Sequence, residues 1–141
     1  MPDPLGPTEH LFYVELACHD GTDYPRQWRQ TRLPVLAREF EVLRAMCGNR
    51  PIPVDSAYRT PAYNSRVGGA RNSQHCEGRA LDCRPPKGMA LSTFYQMVKL
   101  RASQPASAIR GIGKYAGFVH FDVRPTETLA VWSGERRPIM G

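Results

Sequence analysis

The stretch Asn72–Cys83, NSQHCEGRALDC, places a histidine, a glutamate, an aspartate and two cysteines within twelve positions. Gly78 divides it into a polar loop and a run, GRALDCR, that reads as a β-strand. Side chains of a strand alternate between its faces, so Ala80, Asp82 and Arg84 share one side while Leu81 and Cys83 share the other. One side is apolar enough to lie on a core, and the opposite side carries chemistry. Cys83 therefore cannot join Asp82 on a single metal unless the alternation breaks. Cys76 sits in the loop, where direction is open, and packed or unengaged thiols are the expected state of both.

The same reading applies downstream to GFVHFDVR, residues 117–124. Phe118, His120 and Asp122 share one face, and Val119, Phe121 and Val123 form an apolar opposite face. His75, Asp82 and His120 thus stand out as nitrogen and carboxylate donors of the kind zinc accepts. A lone strand histidine is more often packed or hydrogen-bonded, so residue types alone do not assign a metal.

Around these strands the chain supplies helices. In TRLPVLAREFEVLRAMCG, Thr31 is the expected N-cap, Pro34 falls in the first turn and Gly48 follows the end. Leu33, Leu36, Phe40, Leu43 and Cys47 recur three or four apart, which predicts a buried stripe and makes Cys47 a core thiol. LSTFYQMVKLRAS predicts a second helix and PIPVDSAY a strand, while Thr60–Gly69, punctuated by Pro and Gly, reads as a loop. HLFYVELAC fits either an edge strand or a short helix. The expected architecture is one α+β domain over 1–141, an antiparallel sheet with flanking helices, with residues 1–9 loosely ordered.

A chain of 141 residues has room for one compact core. Its 19 Lys and Arg against 13 Asp and Glu leave a net charge of +6, favouring an anionic partner such as nucleic acid or a bacterial wall polymer. No helix-turn-helix or zinc-finger spacing accompanies the charge, so no nucleic-acid partner is expected. No apolar run reaches the roughly 18 residues of a membrane span, and MPDPLGPTEH has no signal-peptide character. The four cysteines are too scattered for a disulfide scaffold, and no CxxC is present. RASQPASAIR and GERRP read as solvated surface, His10 as solvent-exposed, and His19-Asp20-Gly21 as a turn.

A more specific signal is the whole pattern Ser73-x-His75-x-x-Gly78-x-Ala80-x-Asp82, followed by GFVHFDVRP. It resembles the M15 family of zinc D,D-peptidases, in particular the D-alanyl-D-alanine carboxypeptidase branch, whose fold is shared by the signalling domain of hedgehog proteins. The likeness extends to ACHDGTDYP, to SAYRTPAYNSRVGGARNSQH, to GIGKYAG and to the closing AVW. The resemblance implies His75, Asp82 and His120 as ligands of one zinc ion per chain. It also implies Arg59 as a grip on the substrate's carboxyl terminus or scissile carbonyl, and Ser73 beside the substrate. Read structurally, Ser73 caps the turn that positions His75, and Arg59 is a surface residue at a strand end.

The implied activity is hydrolysis of peptidoglycan stem peptides by a monomer, outside the cytoplasm. Endopeptidase cleavage of wall cross-links, or a non-catalytic zinc-binding wall module, stands as the alternative. Relatives commonly place a glutamate or aspartate, as general base, three residues before the last histidine; here that position is Gly117. Asp122 is the substitute base by strand geometry, or else a carboxylate that orients a histidine ligand. Glu77 reads as a solvated charge, and Phe118 and Trp132 as core aromatics that a peptide groove could also use.

Overall fold

The computed structural model describes residues 5–134. Its elements run α1 (Tyr13–Leu16), a 3-10 turn (Arg26–Trp28), α2 (Leu33–Met46), β1 (Val54–Ser56), α3 (Pro61–Arg66), β2 (Ala80–Cys83), α4 (Leu91–Ala102), β3 (Gly111–Lys114), β4 (Val119–Asp122) and β5 (Ala130–Ser133). The strands form one sheet in the order β1-β2-β4-β3-β5. Every pairing is antiparallel except β3 with β5, which is parallel, so the sheet is mixed rather than purely antiparallel. The segment between β4 and β5 returns the chain to run alongside β3, which a hairpin could not do.

The alternation anticipated in β2 and β4 is realised. Leu81, Cys83, Val119 and Phe121 are all buried in a core shared with Leu33, Leu36, Phe40 and Leu43 of α2 and with Phe94 and Val98 of α4. Burial of each such aliphatic or aromatic side chain contributes about 1.5–3 kcal/mol, so this two-layer packing fixes the sheet against the helices. The apolar stripe of α2 carries one exception, Glu39, whose carboxylate is wholly buried. It accepts a two-pronged pairing from Arg101 of α4 (2.7 and 3.0 Å) and a hydrogen bond from the Ala108 backbone N–H (3.0 Å). Arg101 is therefore interior, not part of a solvated basic segment. The pair joins both helices to the chain entering β3.

Three local expectations are corrected. The helix α2 has Arg32, already in helical geometry, at its N-cap position, and no side-chain cap. The preceding turn runs straight into the helix, so Thr31 donates from its hydroxyl to the Gln27 carbonyl instead (3.4 Å). Residues 61–66 are helical rather than loop: the Thr60 hydroxyl accepts from Tyr63 N–H (3.1 Å) and Pro61 occupies the first turn, a combination that starts a helix. His10 is tied to α2 by a 2.7 Å contact with Glu41.

HLFYVELAC resolves as the short helix α1, and the Leu5 carbonyl accepts from Tyr13 N–H (2.7 Å). The Asp20 carboxylate accepts from Thr22 N–H and from the Thr60 hydroxyl, linking the Asp-Gly turn to the start of α3. Of the GERRP segment only Gly134 lies within the described residues. No described helix is long and apolar enough to cross a membrane.

Candidate metal centre and cleft

Antiparallel pairing sets Asp82 of β2 directly opposite His120 of β4. Both point away from the core, as alternation requires. His75 arrives from the loop before β2, which is folded back by two devices. The Ser73 hydroxyl accepts from His75 N–H (3.1 Å), and the His75 carbonyl accepts from Arg59 N–H (3.1 Å). Gly78, at φ +69°, then turns the chain into β2. Any Cβ there would press on the Trp28 ring (2.7 Å) and the Tyr24 hydroxyl (2.8 Å), so both conformation and space demand glycine.

His75, Asp82 and His120 are all buried, and one ligand atom from each lies within 4.8 Å of the others. Their protons decide what the cluster can hold. His75 Nδ1 is 2.6 Å from the Ala57 carbonyl, which only accepts, so Nδ1 carries the proton and Nε2 turns a lone pair toward Asp82 Oδ1 at 3.0 Å. His120 Nε2 donates to Asp122 Oδ2 (2.7 Å), which turns Nδ1 toward the same Asp82 oxygen at 3.0 Å. Burial drives His75 toward its neutral form. Burial opposes ionisation of Asp82, yet the flanking imidazoles outweigh it and hold the carboxyl well below the usual carboxylate range.

A lone pair facing a carboxylate at this distance is repulsive unless a cation stands between them. Without a metal the cluster answers with a proton. Burial alone would lower the His120 pKa, but Asp122 and Asp82 on either side push it up to about 9. Two imidazoles and a carboxylate, each imidazole anchored through its other nitrogen, form the donor set and outer hydrogen bonding of a divalent transition-metal site, so the residues fit such an ion.

The centre opens on a cleft of about 220 Å³. One wall is the loop Gly68–Gln74 with Arg59; the other is aromatic, made by Tyr115, Phe118 and Trp132. Arg59 is only 8% exposed and is engaged by Ser56 Oγ (3.2 Å), Asn64 Oδ1 (3.1 Å) and Asp82 Oδ2 (3.2 Å). It is therefore an interior residue at the cleft wall, not a surface arginine. Ser73 both caps the His75 turn and lines the cleft.

Asp122 shares the face of His120 but is fully buried and does not line the cleft. Besides His120 it accepts from Arg124 Nε and Nη2, both at 2.8 Å. Those partners, working against burial, hold its carboxyl well below the usual range. Gly111 makes room for it, since a Cβ there would overlap the Asp122 carboxylate. Glu77 faces away, paired with Arg32 at 3.1 Å. All four cysteines are free thiols, and none joins the metal cluster. Burial pushes the Cys76 and Cys83 thiols upward.

Sequence reading did not single out Tyr115, Asn64 or Arg124 as parts of the site. Tyr115 was within reach of the same rule that found His120: residues 111, 113 and 115 continue with period two along β3, opposite the metal face of β4. Asn64 was hidden because the helix carrying it was read as loop.

A family model described as Peptidase M15 matches residues 9–122, most of the chain. The Zinc D-Ala-D-Ala carboxypeptidase of Streptomyces albus G is 41% identical over 44 residues. That segment is 31% of this chain and 17% of that protein, so the match spans only about a sixth of the relative's length.

Proposed function

The chain belongs to the M15 peptidase family, and from that membership we propose that it is a zinc peptidase acting on the stem peptides of peptidoglycan, as a D-alanyl-D-alanine carboxypeptidase. The observation that carries the reading is the convergence of His75 Nε2, Asp82 and His120 Nδ1, with each imidazole's N–H already committed elsewhere. The carboxypeptidase activity is that of the Streptomyces albus G relative, whose name supports this choice. The +6 charge suits an acidic wall polymer, and such a substrate places the site of action outside the cytoplasm.

Zinc, when bound, polarises the scissile carbonyl and lowers the pKa of a water toward about 7. The protein's part is orientation. His75, Asp82 and His120 hold the ion; Ala57 and Asp122 fix the two rings in the tautomers that present lone pairs. Arg59 orients Asp82 and stands at the cleft wall, where its guanidinium can meet the substrate's carboxylate or carbonyl. Ser73 sets the His75 turn from inside the same wall. We assign Asp122 to holding His120 rather than to taking the water's proton, because it is buried behind the ring with both oxygens engaged.

A second groove shares Gly69, Asn72, Ser73 and Gln74 with the cleft. It favours a second reading, cleavage within a longer cross-linked peptide. Incubation with defined muropeptides, with mass spectrometry of the products, separates the two. Loss of a terminal D-alanine supports the carboxypeptidase reading, and opening of a dimeric cross-link supports the endopeptidase. Zinc-loaded protein that cleaves neither, or cleavage that survives complete zinc removal, would refute the proposal.

A further inference from the structure

Tyr115 continues the metal-facing side of β3. Gly113 lies opposite His120, and the turn after β3 closes with Tyr115 N–H donating to the Phe118 carbonyl (3.0 Å). The Tyr115 ring is held flat against Phe118, with centroids 4.7 Å apart and planes within 3°. On its other side a Cβ at Gly134 would overlap the ring, so that glycine is what lets the chain pass so close.

The Trp132 indole crosses over Gly113, where a Cβ would collide with its Nε1, and reaches within 5.3 Å of the His120 ring, centroid to centroid. Its Nε1–H donates to the Tyr115 hydroxyl at 2.9 Å. An indole N–H can only donate, so the tyrosine oxygen is the acceptor in that bond and its own proton must point elsewhere. Among the described residues no acceptor meets that proton, and the side chain lines the cleft beside the metal centre. Arg59, held by Asp82 and Asn64, stands on the opposite wall of the cleft, and Arg124 is engaged by Asp122, so Tyr115 is the donor on the aromatic wall.

We propose that Tyr115, held by Trp132 and Phe118, is a catalytic residue that donates a hydrogen bond to the oxygen of the scissile carbonyl. The inference rests on the peptidase reading above. As water's oxygen bonds to the carbonyl carbon, the π pair moves onto the carbonyl oxygen, and Tyr115 stabilises that developing charge without giving up its proton. The pair returns as the C–N bond breaks. The departing amine takes the proton that water releases, so the products are a carboxylic acid and an amine. A donor fixed before substrate arrives needs no reorganisation at the moment of reaction.

The test compares wild-type protein with Tyr115→Phe, which keeps the ring stack and removes only the hydroxyl. On a muropeptide that the wild type cleaves, kcat should fall by about 10²-fold, with KM within a few-fold and zinc content unchanged. A zinc-loaded protein should also bind a phosphinic pseudodipeptide, whose tetrahedral oxygens mimic the charged carbonyl, at least tenfold more weakly in the variant. In the metal-free protein the Trp132 indole N–H resonance should shift while that of Trp28, the other tryptophan, stays. Should Tyr115→Phe fail to fold, Trp132→Phe releases the hydroxyl from its anchor and should lower kcat by about tenfold with the metal retained. Wild-type kcat and probe affinity in Tyr115→Phe, or wild-type kcat in Trp132→Phe if that is the variant that folds, would overturn the proposal. A wild-type protein that neither cleaves nor binds the probe would instead refute the peptidase reading beneath it.

Discussion

Replacing Asp122 by asparagine decides between the two roles open to this carboxylate. Asp122 Oδ2 receives His120 Nε2 at 2.7 Å and Arg124 Nη2 at 2.8 Å, while Oδ1 receives Arg124 Nε at 2.8 Å. An asparagine offers one oxygen and one NH2 to these donors, so at least one N–H must face another N–H in a fully buried position. Arg124 is about a quarter exposed and can swing toward solvent. The oxygen then remains for His120, as a neutral acceptor in place of a charged one. A hydrogen bond to a charged group contributes about 1.5–3 kcal/mol against about 1 for a neutral pair. The difference, about 0.5–2 kcal/mol, corresponds to roughly a 2- to 30-fold loss in zinc affinity, whose upper part overlaps the roughly 10- to 100-fold usual for residues that orient metal ligands. Competition with a chromogenic chelator measures this directly, and turnover assayed across a zinc titration should return to within about tenfold of wild type at saturation. Unchanged zinc affinity together with a loss of about 10²- to 10⁴-fold at saturating zinc would refute the orienting role and make Asp122 the general base.

Other outcomes follow from the same structure. Glu39→Gln breaks the buried pairing with Arg101 and should cost about 3–5 kcal/mol in denaturant unfolding; a loss below about 1 kcal/mol would show the pair to be dispensable. Because His120 is protonated below about pH 9 in the metal-free protein while His75 is neutral and Asp82 ionised, zinc binding at pH 7.5 should release about one proton. Calorimetry in buffers of different ionisation enthalpy reads that number; it should fall toward zero above about pH 10, and affinity should drop by up to about tenfold per pH unit below 9. Cys76→Ala should leave zinc content and turnover unchanged, since its thiol lies outside the metal cluster; loss of zinc with the fold intact would contradict that placement. Gly117→Glu puts a carboxylate where a Cβ meets no heavy atom within 4 Å, so it should fold normally. If position 117 serves as in the relatives that carry an acid there, turnover should rise by tenfold or more, and an unchanged rate would show that the base acts from elsewhere.

The metal face was legible because two strands each carry an uninterrupted two-residue period over an apolar partner face. Once Leu81 and Phe121 must be inside, Asp82 and His120 must be outside and, in an antiparallel pair, can meet. The helix α2 was legible for the parallel reason that its apolar residues recur at helical spacing. What escaped reading was set by contacts distant in sequence. GIGK has little intrinsic preference for a strand, and its glycines belong there because Asp122 and Trp132 occupy the space that side chains would fill. Pro61 looked like a break in the chain, yet with Thr60 before it the same residue opens a helix. Thr31 carried a capping side chain, but the N-cap position falls to Arg32, whose backbone is already helical.

The departure at Gly117 and the burial of Asp122 are linked by the construction of one sheet face. With Gly117 bare and Asp122 turned behind His120, Asp82 is the only carboxylate lining the cleft among the described residues. A glycine at position 111 is what permits the inward turn: any larger residue would expel the Asp122 carboxylate from its place behind the histidine. The anionic groups of the site are thus concentrated on the metal cluster, and the rest of the cleft is lined by the arginines Arg59 and Arg124, neutral donors and aromatic surface. Such a surface suits an acidic peptide better than one lined by a free carboxylate, because a like charge beside the substrate's own would oppose binding. If Asp122 holds His120 rather than taking the proton, proton transfer from water falls to a group that approaches from the open side of the cleft or arrives with the substrate. A pH–rate profile that follows substrate ionisation, tested with stem peptides amidated at their side-chain carboxylate, distinguishes these two sources. An amidated peptide cleaved at the unmodified rate excludes that substrate group as the base.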